Sequence, residues 1–430
     1  FPRHNTYRLM PRLLLLVFLT TIAIDWPQLP FNMRATDVAF VGAAIAVFAA
    51  TRAWAVPRLR FLDIAILIYL GGSLLALIFS PEPRAGVVEM IRQIYGASIY
   101  VVIAMAVTQG LSRSIATGLA LSGGVLAVLG VIAMAIQSVS SLTFPEITPA
   151  MTLPYVGEIV RMRALTATPA MFALLLAVSI PFAMRHPVIL AAAWRVVAAG
   201  VVLGIATALT FSHSIAGVAV AVLVAGWGTW GSQRVLRLAA VAATILIVVA
   251  FNFAATVAIR SVGNTGLRDD TVFQYGVDRG HAQVAGVDVE YQTMSYFRIK
   301  QVALDAFMSR PVFGVGLDRF HSVTEAAYQQ GRLTDSYRAI DPHSTFFGRL
   351  AEAGVVGLVT LVVLWIAIAR DAAGLWSTRT EHEWIAIAAV AAIAGTLINT
   401  MNADVMNLRF LWVVLGLVRG LTTTTPNAAA

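Results

Sequence analysis

The 430-residue chain contains no cysteine. Disulfides, thiolate metal sites and cysteine nucleophiles are therefore excluded, and any segment outside the membrane must be held by packing and hydrogen bonds. Charge is nearly as scarce: 12% of residues are Asp, Glu, Lys or Arg, where soluble domains carry about 25%. One cation is almost missing, since Lys300 is the only lysine among 30 basic residues. What remains is apolar, with 59% hydrophobic residues and a mean hydropathy of +0.80. A soluble core of this size could not hide that much apolar surface, so lipid must act as solvent for much of it. The net charge of +8 is read as cytoplasmic arginine and anionic headgroups, with membrane lipids and not nucleic acid as the partner.

Uncharged apolar stretches long enough for a span occur at about 10–29, 37–54, 63–81, 90–110, 114–137, 166–184, 188–209, 214–232, 237–257, 346–369, 383–403 and 405–421. A helix needs roughly 20 such residues to cross, fewer where flanking arginines snorkel. Val196 to Gln233 has no Asp, Glu, Lys or Arg over 38 residues, too long for one helix, so a break is expected at Ser212–Ser214. The start resembles a signal peptide, with Arg3, Arg8 and Arg12 before apolar Leu13 to Ile24. No A-x-A-like site follows, so it is read as a retained first helix. The expected class is an all-α integral membrane protein with about 12 transmembrane helices.

With the N-terminus inside, 14 arginines fall on cytoplasmic segments and 6 on short outer ones. The long segment before the tenth helix is left out, because long loops translocate whatever their charge. Three regions follow: residues 1–257 with helices one to nine, a loop domain at 258–345 outside the membrane, and 346–430 with the last three helices and a cytoplasmic tail. Alkaline phosphatase fused at Asp288 should be active and at Arg379 inactive; the opposite pattern overturns the orientation. A structureless loop of that length is improbable, so Tyr296–Ser309 and Asp318–Gln330 are read as short helices.

The polar residues crowd the outer side. Arg161 and Arg163 precede the Thr168–Pro169 helix start, where simple interfacial snorkelling is the plain alternative. Arg298 lies on the first loop helix with Asp305 on the same face, compatible with a solvated salt bridge. In RPVFGVGLDRF, Pro311 ends a helix, and Gly314 and Gly316 permit tight turns or a close approach to phosphate. In DPHSTFFGRLAEAGVVGL, His343 stands where the tenth helix begins, as a helix cap or a functional group. Glu352 needs a partner near the membrane, and Arg349 three residues before it is the obvious one.

This ordered set resembles the O-antigen ligase family (WaaL) and its relatives, the Wzy-type polymerases and protein O-oligosaccharyltransferases. The residues carrying the resemblance are Arg163, Arg298, Pro311, Gly314, Gly316, Phe320, Pro342, His343, Glu352, Gly354 and Gly357. The resemblance implies a GT-C-type glycosyltransferase of a Gram-negative inner membrane with its active site facing the periplasm. Its donor would be a glycan on undecaprenyl diphosphate and its acceptor a hydroxyl of the lipid A core. His343 is implied as base, and Arg298 with Arg161 or Arg163 as diphosphate ligands, Arg163 preferred because it lies nearer the helix start. Gly314 and Gly316 are candidate backbone phosphate ligands. Family members often have Asn after the histidine, here Ser344, and Arg where the seventh and eighth helices meet, here Ser212–His213–Ser214. His213 is thus either a phosphate ligand or a loop residue. The leaving diphosphate needs cations and the acceptor hydroxyl a base. Only Asp269–Asp270 offers an outer carboxylate pair, so no metal and no cofactor is expected. The rivals are a Wzy-type polymerase, a protein O-oligosaccharyltransferase and, from another class, a transporter of anionic amphipathic solutes.

Overall fold

The computed structural model describes residues 3–25, 34–51, 59–153, 157–227, 234–254, 257–261, 279–284, 287–293, 295–333, 338, 340–376 and 383–424. Asp269 and Asp270 lie outside them. In the membrane body run α1 (Arg3–Thr21), α2 (Ala35–Ala50), α3 (Phe61–Ile78), α4 (Pro83–Thr108), α5 (Ser112–Val139), α6 (Pro169–Arg185), the single turn α7 (Pro187–Leu190), α8 (Ala193–Leu209), α9 (Ile215–Trp227) and α10 (Arg234–Ala254). After the loop region come α13 (Thr345–Trp376), α14 (Glu383–Asn399) and α15 (Arg409–Thr424). Each of the twelve apolar stretches therefore carries a helix, and the break expected at Ser212–Ser214 separates α8 from α9.

Among the described residues four helices, α3, α4, α5 and α13, are long and apolar enough to cross a membrane. Shorter apolar helices of 10–17 residues occur within α1, α2, α6, α8, α9, α10 and α14. At 1.5 Å per residue, 17 residues reach only about 25 Å, so these would cross by thinning the bilayer or by snorkelling at their ends. The chain is a multi-pass, predominantly helical membrane protein.

The last stretch behaves differently from a lipid-facing span. From Phe410 to Leu421 the large side chains of α15 are almost fully buried. Gly416 and Gly420 let this helix lie directly against Tyr100, Ile103 and Val107 of α4. Its two arginines are clamped in matching ways. Arg409 pairs with Asp37 at 2.8 Å and Arg419 with Asp63 at 2.8 Å. Each aspartate also accepts a tyrosine hydroxyl from α4, Tyr95 to Asp37 at 2.8 Å and Tyr100 to Asp63 at 2.5 Å. Each also receives the backbone N–H three residues earlier, from Arg34 or Arg60, both at 2.8 Å. Carboxylates withdrawn from water need such complete pairing. The two R-x-x-D segments, Arg34–Asp37 and Arg60–Asp63, are the sequence trace of this arrangement.

The extramembrane segments add short strands to the expected helices. β1 (Ala150–Leu153) and β2 (Gly157–Val160) form a hairpin between α5 and α6. β3 (Val257–Ser261), β4 (Arg279–Val284) and β5 (Val287–Thr293) form an antiparallel sheet in the order β3-β5-β4. Two helices follow, α11 (Ser295–Ser309) and α12 (Phe320–Gln329), within a residue or two of their expected bounds. Ile299, Val302, Ala303 and Ala306 of α11 pack with Phe320 and Ala327 of α12 and with Ala351 of α13. The loop region thus shares its core with the N-terminal end of α13.

The glycine loop makes that junction. α13 is broken at Gly354, whose backbone is left-handed in φ (φ 63°, ψ −154°). The broken turn exposes backbone groups, and residues 311–316 take them. Val315 and Gly316 donate to the carbonyls of Ala351 and Glu352 at 2.9 and 3.0 Å, and Val355 donates to Pro311 at 2.8 Å. A Cβ on Gly354 would lie 2.5 Å from the Val312 carbonyl carbon, so only glycine fits.

Candidate functional site around Asn402

Four chain segments meet around Asn402: the turn between α8 and α9, α11, the start of α13 and the turn after α14. His343 precedes α13 with φ 47°, in the left-handed region. A non-glycine residue held there costs free energy that the surroundings must supply, and such strain clusters at functional sites. Among the described residues the others with positive φ are Ala164, Leu165, Phe211 and Asp318. Three of these flank Arg163 and His213.

His343 is not the helix cap. The Ser344 hydroxyl accepts from Phe347 N at 3.4 Å while donating to Thr400 O at 3.1 Å. Thr345 N donates to Thr400 O at 2.9 Å, and its hydroxyl donates to Ala403 O at 3.0 Å. The strained histidine is therefore fixed by its two successors, which staple it to the turn 400–405.

That turn also binds the other elements. His213 Nε2 donates to Asn402 O at 2.9 Å. The Lys300 ammonium donates to Asn402 Oδ1 at 2.9 Å and stands 5.9 Å from the centre of the Phe347 ring. Arg161 donates from Nε to Thr210 O at 2.9 Å and from Nη2 to Phe211 O at 3.2 Å, in the turn that carries His213.

The electrostatics follow from this crowding. Burial pushes the His343 imidazolium down to about 4, against the raising effect of Asp341, while His213 and Lys300 add to the lowering. Burial likewise lowers His213, with Lys300 and Arg161 acting in the same sense. Asp341 is engaged elsewhere: its carboxylate lies 3.2 Å from His321 Nε2, which holds Asp341 below the usual carboxylate range.

Several sequence expectations change. His213 was a candidate phosphate ligand, but a neutral imidazole has one N–H, and that one goes to Asn402; His213 therefore orients the turn. The N–H groups of Gly314 and Gly316, expected near a phosphate, donate to Arg310 O and Glu352 O, each at 3.0 Å. The structure gives Arg161 and Arg163 different partners. Arg163 forms an ion pair with Glu146 and donates to Glu146 O and Ala167 O, whereas Arg161 accompanies His213. Arg161→Lys should cut activity at least tenfold, since a charge-assisted hydrogen bond is worth about 1.5–3 kcal/mol, with Arg163→Lys closer to wild type. Equal losses in a rate assay at matched protein level would return the two to parity.

Arg298 lines a cavity of about 280 Å³ with Gln301, Asp305 and Arg332. Its expected partner Asp305 pairs with Arg332 at 2.6 Å. Arg349 and Glu352 also diverge from their expected pairing. Arg349, 5% exposed, hydrogen-bonds Tyr69 and lies 4.0 Å from Glu89 of α4. Glu352 accepts from Phe320 N at 3.3 Å, at the start of α12.

The sequence reading missed Lys300 and Asn402. The chain's single lysine was the one signal for the first; Asn402 gave none. No curated protein matches the chain. Residues 197–362 match the family model Wzy_C, described as O-antigen ligase. The matched segment runs from α8 into α13 and contains His213, Arg298, Lys300, the glycine loop, His343 and Glu352; over this segment the chain is similar to the O-antigen ligase family.

Proposed function

We propose that the protein transfers a glycan from undecaprenyl diphosphate to a hydroxyl of the lipid A core, at a site on the periplasmic side of the inner membrane. The observation that carries this reading is the strained, half-buried His343 beside His213 and Lys300. The family match supplies the reaction class: glycosyltransferase-like chemistry on polyprenyl-linked glycans. The twelve-span GT-C topology and the three-region division of the chain remain part of this proposal.

In this mechanism the acceptor oxygen attacks the anomeric carbon as the bond from that carbon to the phosphate oxygen breaks. The electron pair leaves with the diphosphate, and His343 takes the acceptor's proton. A single displacement inverts the anomeric centre. His343 suits the step because its surroundings keep it neutral. Arg161 and Arg298 are assigned to the diphosphate, where guanidinium forks match phosphate oxygens and gain strength as charge develops. The charge that a divalent ion would bring is thus supplied by side chains, and purified protein should keep its activity in excess EDTA. Loss restored by Mg²⁺ or Mn²⁺ would turn attention to Asp269 and Asp270.

The lipopolysaccharide profile of a deletion strain tests the function. Core-only lipopolysaccharide with lipid-linked polymer accumulating supports the ligase. Core carrying one repeat unit indicates a polymerase, and an unchanged profile removes both.

A further inference from the structure

We propose that Lys300 completes the donor site: its ammonium, held by Asn402 in the resting protein, transfers to the departing diphosphate oxygen during reaction. The inference rests on the polyprenyl-diphosphate reading above.

Three observations carry it. First, Lys300 differs from the arginines held in ion pairs. In the ion pairs among the described residues, arginines meet carboxylates, as in Arg34–Asp25, Arg319–Glu82, Arg338–Glu325 and Arg419–Asp63. Lys300 meets a neutral amide oxygen at 2.9 Å and an aromatic face at 5.9 Å, and no carboxylate pairs with it among the described residues. A half-buried cation with only neutral partners is suited to receiving an anion. Burial alone lowers its affinity for the proton, a cost that a bound diphosphate would remove.

Second, its position is fixed from both ends. Its neighbours Ile299 and Val302 are buried in the loop-region core, so α11 cannot turn freely. Asn402 is tied on its other side by His213, whose ring donates to the Asn402 carbonyl at 2.9 Å. One residue thereby sets the distance between α11 and the turn carrying His213, with His343 close enough to Lys300 and His213 to be shifted by both.

Third, lysine is the right type for a cation that must change partners. An ammonium is a compact charge with three donors on a flexible stem, whereas a guanidinium is a rigid fork that suits a permanent pair. As the bond from the anomeric carbon to the phosphate oxygen breaks, negative charge grows on that oxygen, and the ammonium can leave the amide to meet it. No proton need move: Lys300 stays charged, and the acceptor's proton goes to His343.

The single lysine makes the test clean. Amine acylation of the purified protein, read by mass spectrometry, should label Lys300 and little else beyond the chain's amino terminus. Saturating undecaprenyl diphosphate should slow labelling of Lys300 at least fivefold, whereas undecaprenol should not. Lys300→Met should lower kcat and kcat/KM for transfer together, by tenfold or more, because the contact forms in the transition state. Lys300→Arg should recover part of the loss. Unchanged labelling with undecaprenyl diphosphate, or wild-type transfer by Lys300→Met, overturns the assignment while leaving the proposed function standing. If wild-type protein neither transfers a lipid-linked glycan nor binds undecaprenyl diphosphate, the function itself fails, and this inference with it.

Discussion

His343→Ala is expected to lower glycan transfer by about 10²–10⁴-fold, the usual contribution of a positioned general base. Folding should survive, because Ser344 caps α13 and Ser344 and Thr345 hold the segment to Thr400 and Ala403. His343→Asn is the sharper variant. Asparagine adopts the left-handed backbone that His343 occupies at φ 47° more readily than other non-glycine residues, so it keeps the loop while removing the base. It should be as inactive as alanine in an in-vitro ligation assay, and an active Asn variant would eliminate the base role. The pH profile gives a second check. With the imidazolium pushed down to about 4, kcat/KM should hold down to about pH 5, where an ordinary histidine of pKa about 6.5 would be almost wholly protonated. The same shift bears on stability. Below about pH 6.5 the unfolded chain binds a proton at this residue and the folded one does not, so stability falls from there toward pH 4. An acidic limb near 6.5 would show that His343 is not the titrating base.

Arg349→Ala is expected to cost about 3–5 kcal/mol of stability, the range for removing one partner of a buried ion pair. Arg349 sits 4.7 Å from the centre of the Tyr69 ring, donates to Tyr69 and to Ser73, and lies 4.0 Å from Glu89. Glu89 is 6% exposed and also accepts from Gln93 at 3.1 Å. The carboxylates of Asp404 and Glu352 lie within the field of the same guanidinium, and burial pushes the Asp404 carboxyl up. Without Arg349 these acidic groups face one another in a water-poor interior. The yield of folded protein and its melting temperature in detergent should both fall sharply. Adding Glu89→Gln to Arg349→Ala should restore part of the loss. Melting of the single variant within a degree of wild type would remove Arg349 from the framework.

The sequence by itself determined the membrane class, the helix positions, the break at Ser212–Ser214, the two loop helices and the resemblance to the O-antigen ligase family. These depend on local signals: apolar runs of a length set by the bilayer, glycine and proline at chain reversals, and a motif confined to residues 290–360. The side-chain partnerships were decided only in the tertiary structure. Arg349 and Glu352 are three apart on one helix and look like a pair, but the break at Gly354 and the docking of residues 311–316 turn Glu352 toward α12 while Arg349 reaches Tyr69 and Glu89. Arg161 and Arg163 are equivalent in a linear reading, since residues two apart on an extended segment share a face, and diverge only through their tertiary partners: Arg161 reaches the carbonyls of Thr210 and Phe211, Arg163 reaches Glu146 and Ala167. Asn402 unites His213, Lys300 and the start of α13 across separations of up to 189 residues. No local pattern encodes such a meeting; it exists because the helices pack in one arrangement and bring four chain segments to the same place.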